Sequence, residues 1–264
     1  MGSSGFMGVG LLLGLVLLVG LGPVLYPLQN QGPPLAPPGK EHPLGTDDLG
    51  QDIAHQLLLG GRTSLQVAFA VSLGATLLGT VVGFVAGFYG GLWDAVLSRL
   101  IDLTLGLPQF LVIIVLAAWL GPSLRNTILV LTLFSWMMPA RLIRANTAQL
   151  KEARFVKAAR SYGAGPLYLF FRHLLPSLAP LMGLSALRVA NRAVMAEAGL
   201  ALLGLGDPTV PSWGQLIRQA LAFPALWHTD FWKWWLLAPQ VAITWVLLAL
   251  ALVYRGIDGT THGK

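Results

Sequence analysis

Residues 6–26 include no charged side chain, and this one run limits what the chain can fold into more than any motif does. A helix needs about 20 mostly apolar residues to cross a hydrocarbon core about 30 Å thick at about 1.5 Å of rise per residue. The run is long enough. A secretory leader would put Lys or Arg ahead of a shorter apolar core. The run shows neither feature, so a retained span is expected. Further apolar runs follow at about 64–89 (ended by Gly90-Gly91), 103–120 (closed by Gly121-Pro122), 127–142, 180–205 and 235–254. The expected fold is all-α, a polytopic membrane bundle of six transmembrane helices.

Composition agrees. Charged residues make up 11% of the 264, against about 25% in ordinary soluble domains. Hydrophobic residues reach 55%, which excludes disorder, and the absence of cysteine excludes a disulfide scaffold and thiol chemistry. The net charge of +6 would suit nucleic acid in a soluble chain. In one this apolar it fits cytoplasmic loops, and no nucleic-acid partner is expected. Seven of the 17 basic residues (Arg141, Arg144, Lys151, Arg154, Lys157, Arg160, Arg172) fall between the fourth and fifth runs. That loop is expected on the cytoplasmic side. Alternation then puts both termini in the cytoplasm and residues 27–63 and 206–234 outside. Pro33, Pro34, Pro37 and Pro38 suggest an extended outer linker. Residues 1–63 form the first span with its outer segment, and 64–258 form the main membrane domain. Trp227, Trp232, Trp234 and Trp235 suggest an interfacial belt.

Nucleotide and catalytic motifs fail on context. Gly8, Gly10 and Gly14 lie inside an apolar helix with no preceding strand, and Gly39-Lys40 is followed by Glu41 where a phosphate loop needs Ser or Thr. The five histidines (His42, His55, His173, His228, His262) lie in or beside predicted loops without metal-site spacing. No nucleophile with a base is evident at membrane depth, so neither an enzyme site, a bound cofactor nor a metal is expected. Ala75, Gly79, Gly83 and Gly87 recur every four residues, a stripe that admits another helix backbone; plain packing is its simplest role. Arg188, Arg192 and Glu197 are charges within the fifth span. Arg188 and Arg192 share a face, and Glu197 points well away from Arg192. An internal ion pair, for instance through Asp102, is favoured over lining a translocation path. On the second reading, reversing Arg192 lowers transport of acidic substrates more than neutral ones.

The loop reads KEARFVKAARSYGAGPLYLFFRHLLP from Lys151 to Pro176. Phe155, Ala159 and Tyr162 share one face of a short helix. Gly163 suits a C-cap at positive φ, and Gly165-Pro166 suits a turn into a second helix. Pro176 is expected to break the chain before the fifth span. Two short helices around a glycine hinge suit docking into a groove of a soluble partner. An amphipathic helix lying on anionic lipid is the plainer alternative.

Lys157, Ala158, Ala159, Gly163, Leu175 and Pro176 resemble the EAA loop of binding-protein-dependent ABC importer permeases, with Lys157 where the pattern usually has Glu. HPLGTDDLGQD (42–52), FRHLLP (171–176) and AEAGLALLGLGDPTVPSWGQLI (196–217) resemble the dipeptide, oligopeptide and nickel permease group. The resemblance implies an inner-membrane permease subunit that pairs with a second, similar permease. Two cytoplasmic ATPase subunits would use the ATP, and an external binding protein would deliver a small polar solute. Peptide leads, with nickel chelates and other small solutes as alternatives and a stand-alone secondary transporter further off. The resemblance assigns the loop, with Phe155, Lys157, Ala158, Ala159, Tyr162 and Gly163, to the coupling helix that meets the ATPase. Gly45, Thr46, Asp47, Asp48, Pro211 and Trp213 are expected on the surface that docks the binding protein. A plainer role for 45–48 is to cap a short helix, with Thr46 as N-cap.

Overall fold

The computed structural model describes residues 3–26 and 32–261. His262 and residues 27–31 of the expected outer segment lie outside them. The described residues form helices α1 (Ser3–Leu25), α2 (Ile53–Tyr89), α3 (Gly91–Leu105), α4 (Gln109–Leu120), α5 (Leu124–Ser135), α6 (Met137–Leu150), α7 (Arg154–Ser161) and α8 (Pro166–Leu169). A π-helical turn, Phe170–Leu174, leads into α9 (Leu175–Leu202). Then come α10 (Trp213–Ala222), α11 (Trp232–Trp235) and α12 (Leu237–Thr261). Among the described residues there is no strand, only an isolated bridge between Thr46 and Asp52.

Five stretches are long and apolar enough to cross a membrane: Gly5–Val24, Ile53–Tyr89, Leu124–Leu150, Pro166–Leu202 and Trp232–Asp258. The expected third span is instead the pair α3–α4, bent by 85°. Proline explains the bend, since Pro108 has no amide hydrogen to donate and disfavours the helical region at Leu107. The pair still runs the length of the bundle. Asp94 near its start accepts a 2.9 Å bond from Arg144 Nη2 at the end that carries α7, whereas Leu124, just past its finish, donates to Asp207 Oδ2 at 3.2 Å in the opposite loop. Six traverses therefore form as expected, one of them broken.

Other boundaries moved for similar reasons. The fourth span continues to Leu150 with an interruption at Trp136, where Pro139 removes the bond to Ser135. Pro176 does not break the chain. It sits in the first turn of α9, where its missing N–H is no loss, and the preceding π turn accommodates its ring. The second span starts eleven residues earlier than the apolar run, at Ile53, so the helix runs unbroken through 63–64.

Helix α2 is the hub, packed mainly on α6 and α9, while α1 lies along α12. The small-residue stripe faces α6. A Cβ added at Gly83 would stand 2.5 Å from the Ala140 carbonyl, and one at Gly79 2.7 Å from that of Trp136. The main core then closes around Val67, Val71, Ala75, Leu131, Met137 and Ala140.

The proline-rich outer segment is a folded strap and no linker. Gly32 N–H donates to Gly50 O at 2.9 Å, Leu35 N–H to Asp47 O at 2.9 Å, and the Thr46 hydroxyl to Pro33 O at 2.6 Å. Each proline already lacks a donor, so a few such bonds suffice to satisfy the remaining ones. The tryptophans also divide. Trp227 is exposed, but Trp235 is buried with Ile53, Ala220, Leu226 and Leu236 beneath the strap. The expected belt is thus partly a small outer core.

Candidate functional site

The segment Arg154–Leu174 forms a knob at the end of the bundle opposite the strap. Helix α7 turns a single buried side chain, Val156, into a core with Phe84, Phe88, Ile143, Leu169, Leu174 and Leu178. The helix ends where expected. Gly163 takes φ of +85°, its N–H reaches Arg160 O at 2.9 Å, and Ala164 N–H reaches Ala159 O at 3.1 Å. This is a Schellman closure, which an L-residue would strain. The Arg160 guanidinium lies 5.2 Å over the Phe88 ring and ties the knob to the end of α2. Lys157 pairs with Glu152 at 2.8 Å, and its ammonium holds the Glu152 carboxyl below the usual carboxylate range. Both partners are solvated, so the pair adds little stability.

The outward face is unusually apolar. Tyr162 is 92% exposed, Leu167 72% and Phe171 63%, with Tyr168 and Phe155 beside them. Of the residues singled out from sequence, Phe155, Lys157, Ala158, Tyr162 and Gly163 are exposed. Ala159 is half-buried against the knob's core, so Phe155, Ala159 and Tyr162 do not form one free face. Sequence reasoning missed Leu167, Tyr168 and Phe171, although an apolar run inside a basic loop was a signal for them.

The outer residues fare differently. Gly45, Thr46 and Asp47 are buried within the strap, and Asp48 is exposed. Thr46 caps no helix, because its hydroxyl is used by Pro33 O and the Ala36 N–H. The N-cap of α2 is Asp52, which accepts from His55 N–H at 2.9 Å and also meets His42 Nδ1 at 2.7 Å and the Tyr26 hydroxyl at 2.8 Å. Burial, then the bond to Asp52 and its charge, push the Tyr26 hydroxyl up to about 12. Trp213 is fully buried and donates from Nε1 to Leu57 O at 2.9 Å, so its ring offers a partner nothing, while Pro211 is half-exposed. Pro211, Asp52, His55, Gln56, Gln215 and Gln219 help to line an outer cavity of about 460 Å³. The loop beside it is held by Asp207, whose carboxyl is lowered chiefly by its bond from the Thr209 hydroxyl.

The three charges of α9 separate. Glu197 is buried, accepts from the Ser64 hydroxyl at 3.0 Å, and clamps α9 to α2. The expected pairing of an arginine with Asp102 does not form. Arg188 donates to the Tyr254 hydroxyl with its guanidinium 4.5 Å over that ring, and Asp102 lies instead in the surroundings of Arg144. Arg188 and Arg192 are both exposed on the free side of α9.

Comparison with known proteins fits this anatomy. A family model described as the inner membrane component of binding-protein-dependent transport systems matches residues 79–259. A Brucella suis biovar 1 protein, named provisionally as a peptide permease, is 36% identical over 83% of this chain and 72% of its own length. A second from the same organism, named provisionally as a peptide transport system permease, is 36% identical over 92% of this chain and 83% of its own. The dipeptide transport system permease protein DppC of Alkalihalophilus pseudofirmus is 33% identical over 90% of this chain and 77% of its own. The matched region runs from the glycine stripe of α2 through the knob to the end of α12, and the chain belongs to the inner membrane components of binding-protein-dependent transport systems, as a multi-pass membrane permease.

Proposed function

We propose that this chain is a permease subunit of an ABC importer that carries di- or oligopeptides, and that Arg154–Leu174 is the surface through which partner ATPase subunits drive it. The observation that carries the proposal is the exposed apolar face of the knob. Tyr162, Leu167 and Phe171 lie in water here at a cost of roughly 25 cal/mol per Å², which a groove on a soluble subunit would recover.

Peptide as substrate is supported by the names of the relatives above. The chain itself binds no ATP in this reading. Two ATPase subunits supply the free energy, a second permease completes the path, and an external binding protein delivers solute to the strap side near Asp48 and Pro211. The seven basic residues between 141 and 172 support a cytoplasmic knob and, by alternation, cytoplasmic termini. Closure of the ATPases pushes the knob, and the continuous helix from Pro166 to Leu202 carries that push to Arg188, Arg192 and the outer loop.

Co-purification tests the dock. Tyr162→Glu places a charge on the apolar face and Gly163→Val strains the closure. Each is expected to release the ATPase subunits while the permease remains folded by circular dichroism. Retention of the ATPases by both variants refutes the assignment, as does peptide uptake by membranes that lack any ATPase.

A further inference from the structure

The free side of α9 forms one wall of a trough whose two halves share Met138, Val189 and Arg192. Towards the knob, Arg141, Arg188 and Arg192 line a hollow of about 320 Å³ with Met138, Leu142 and Ser185. Towards the strap, Arg192 borders a second hollow of about 400 Å³, walled by Phe110, Ile113, Phe134, Met138 and Met195. Neither lining contains a carboxylate. Arg141 and Arg192 have no hydrogen-bonding or ionic partner among the described residues, and Arg188 meets only the hydroxyl and ring of Tyr254, which carry no countercharge.

A guanidinium within a span is retained only where water or an anion meets it. Three of them, drawn from two helices, border one concavity, and each guanidinium is a planar donor fork of the kind that binds carboxylates. The adjoining hollow is wide enough for an aliphatic or aromatic side chain, and its wall is mostly apolar apart from Gln109, Ser135 and Arg192. An ion such as chloride would use the first half and waste the second. A peptide would use both.

We infer that this trough is a carboxylate-binding section of the translocation path. Arg141, Arg188 and Arg192 hold the main-chain carboxylate of a passing peptide, and any acidic side chain, while an apolar side chain occupies the hollow beside Phe110 and Phe134. The inference rests on the peptide-import reading above and deepens it. Arg141 joins the site by position alone, since it lies outside the fifth span and on a different helix.

The test is ATP-driven uptake by the whole importer in proteoliposomes, with saturating binding protein. Two labelled tripeptides are used, one with neutral side chains and an amidated C-terminus, and one with two Asp and a free C-terminal carboxylate. Each variant is compared with wild type on the same peptide, so the binding protein's own preference cancels. Loss of a charge-assisted bond of this class corresponds to about tenfold or more. Arg192→Glu is therefore expected to cut uptake of the acidic peptide at least tenfold and that of the neutral peptide several-fold less. Arg141→Gln should show the same order more weakly, and Arg192→Lys should restore most of the acidic uptake. ATP hydrolysis stimulated by loaded binding protein is measured alongside, and an uptake loss that only follows an equal loss of this stimulation for both peptides also overturns the site. Equal losses for both peptides, or no loss, overturn the carboxylate site while leaving the importer reading intact. Failure of Arg192→Glu to retain the second permease also overturns it, and makes the trough a subunit interface. A wild-type importer that moves neither peptide overturns both readings.

Discussion

At the scale of single residues, the glycines of α2 carry the largest consequence. Gly83 admits the backbone of α6 so closely that any side chain must push Ala140 away. Gly83→Val is expected to destabilise the bundle by about 1–3 kcal/mol through overpacking, read as a lower melting temperature in detergent. The four-residue spacing made this stripe legible, because helical periodicity puts such positions in line whatever packs on them. Its partner was not legible, since any of the other spans offered a candidate backbone. Trp213 shows the reverse. A tryptophan in an outer loop looked like a docking residue, yet its ring fills the gap between α2 and α10. Trp213→Ala should cost about 3–5 kcal/mol, with binding-protein affinity lost only as the outer end loosens. Tyr26 supplies a pH dependence. Its hydroxyl is raised in the fold, from an ordinary 10.0 to about 12, so the native state keeps a proton that the unfolded chain has released. That contribution is complete below about pH 10 and is lost as pH rises towards 12. Tyr26→Phe should flatten this part of the stability profile between pH 10 and 11, a change that thermal unfolding at stepped pH would register.

At the scale of elements, α7 depends on one anchor. Val156 is the only fully buried side chain of that helix. Val156→Asp is expected to detach the knob from Phe84 and Phe88 and abolish peptide-stimulated ATP hydrolysis, with α2, α6 and α9 still formed. A variant that keeps full stimulation would show that the knob transmits nothing. The short helix, its glycine closure and the following turn were readable because they depend on local backbone preferences. Spacing put Phe155, Ala159 and Tyr162 on one face, yet only Phe155 and Tyr162 are exposed, and Ala159 turns partly inward with Val156. Three-dimensional position overrode that grouping, because the ends of α2 and α6 meet α7 from the Val156 side. The proline positions taught the same lesson. Pro108 bends a span in its middle, Pro176 merely opens a helix, and the difference lies in whether a carbonyl four residues back needed a donor.

At the scale of the whole molecule, the six traverses and the strap define two ends. The cysteine-free sequence makes them testable directly. Asp48→Cys should react with a membrane-impermeant maleimide from outside intact cells, and Tyr162→Cys only after permeabilisation. Labelling of both from one side would reverse or break the assigned topology.

Apolar run length alone specified the membrane, the number of traverses and the helical class, because in hydrocarbon every backbone N–H and C=O must be bonded within its own segment. Residue spacing likewise specified the knob and its glycine closure. Those features are local. The pairing of α2 with α6, the burial of Glu197 and Trp213, and the gathering of Arg141 with Arg188 and Arg192 are not. They join residues up to 156 positions apart, as Leu57 and Trp213 are. Lipid-facing and partner-facing surfaces are equally apolar in such a chain, so hydrophobic pattern cannot say which side of a helix turns inward. Close packing of particular shapes makes that choice, and it exists only once the helices have met.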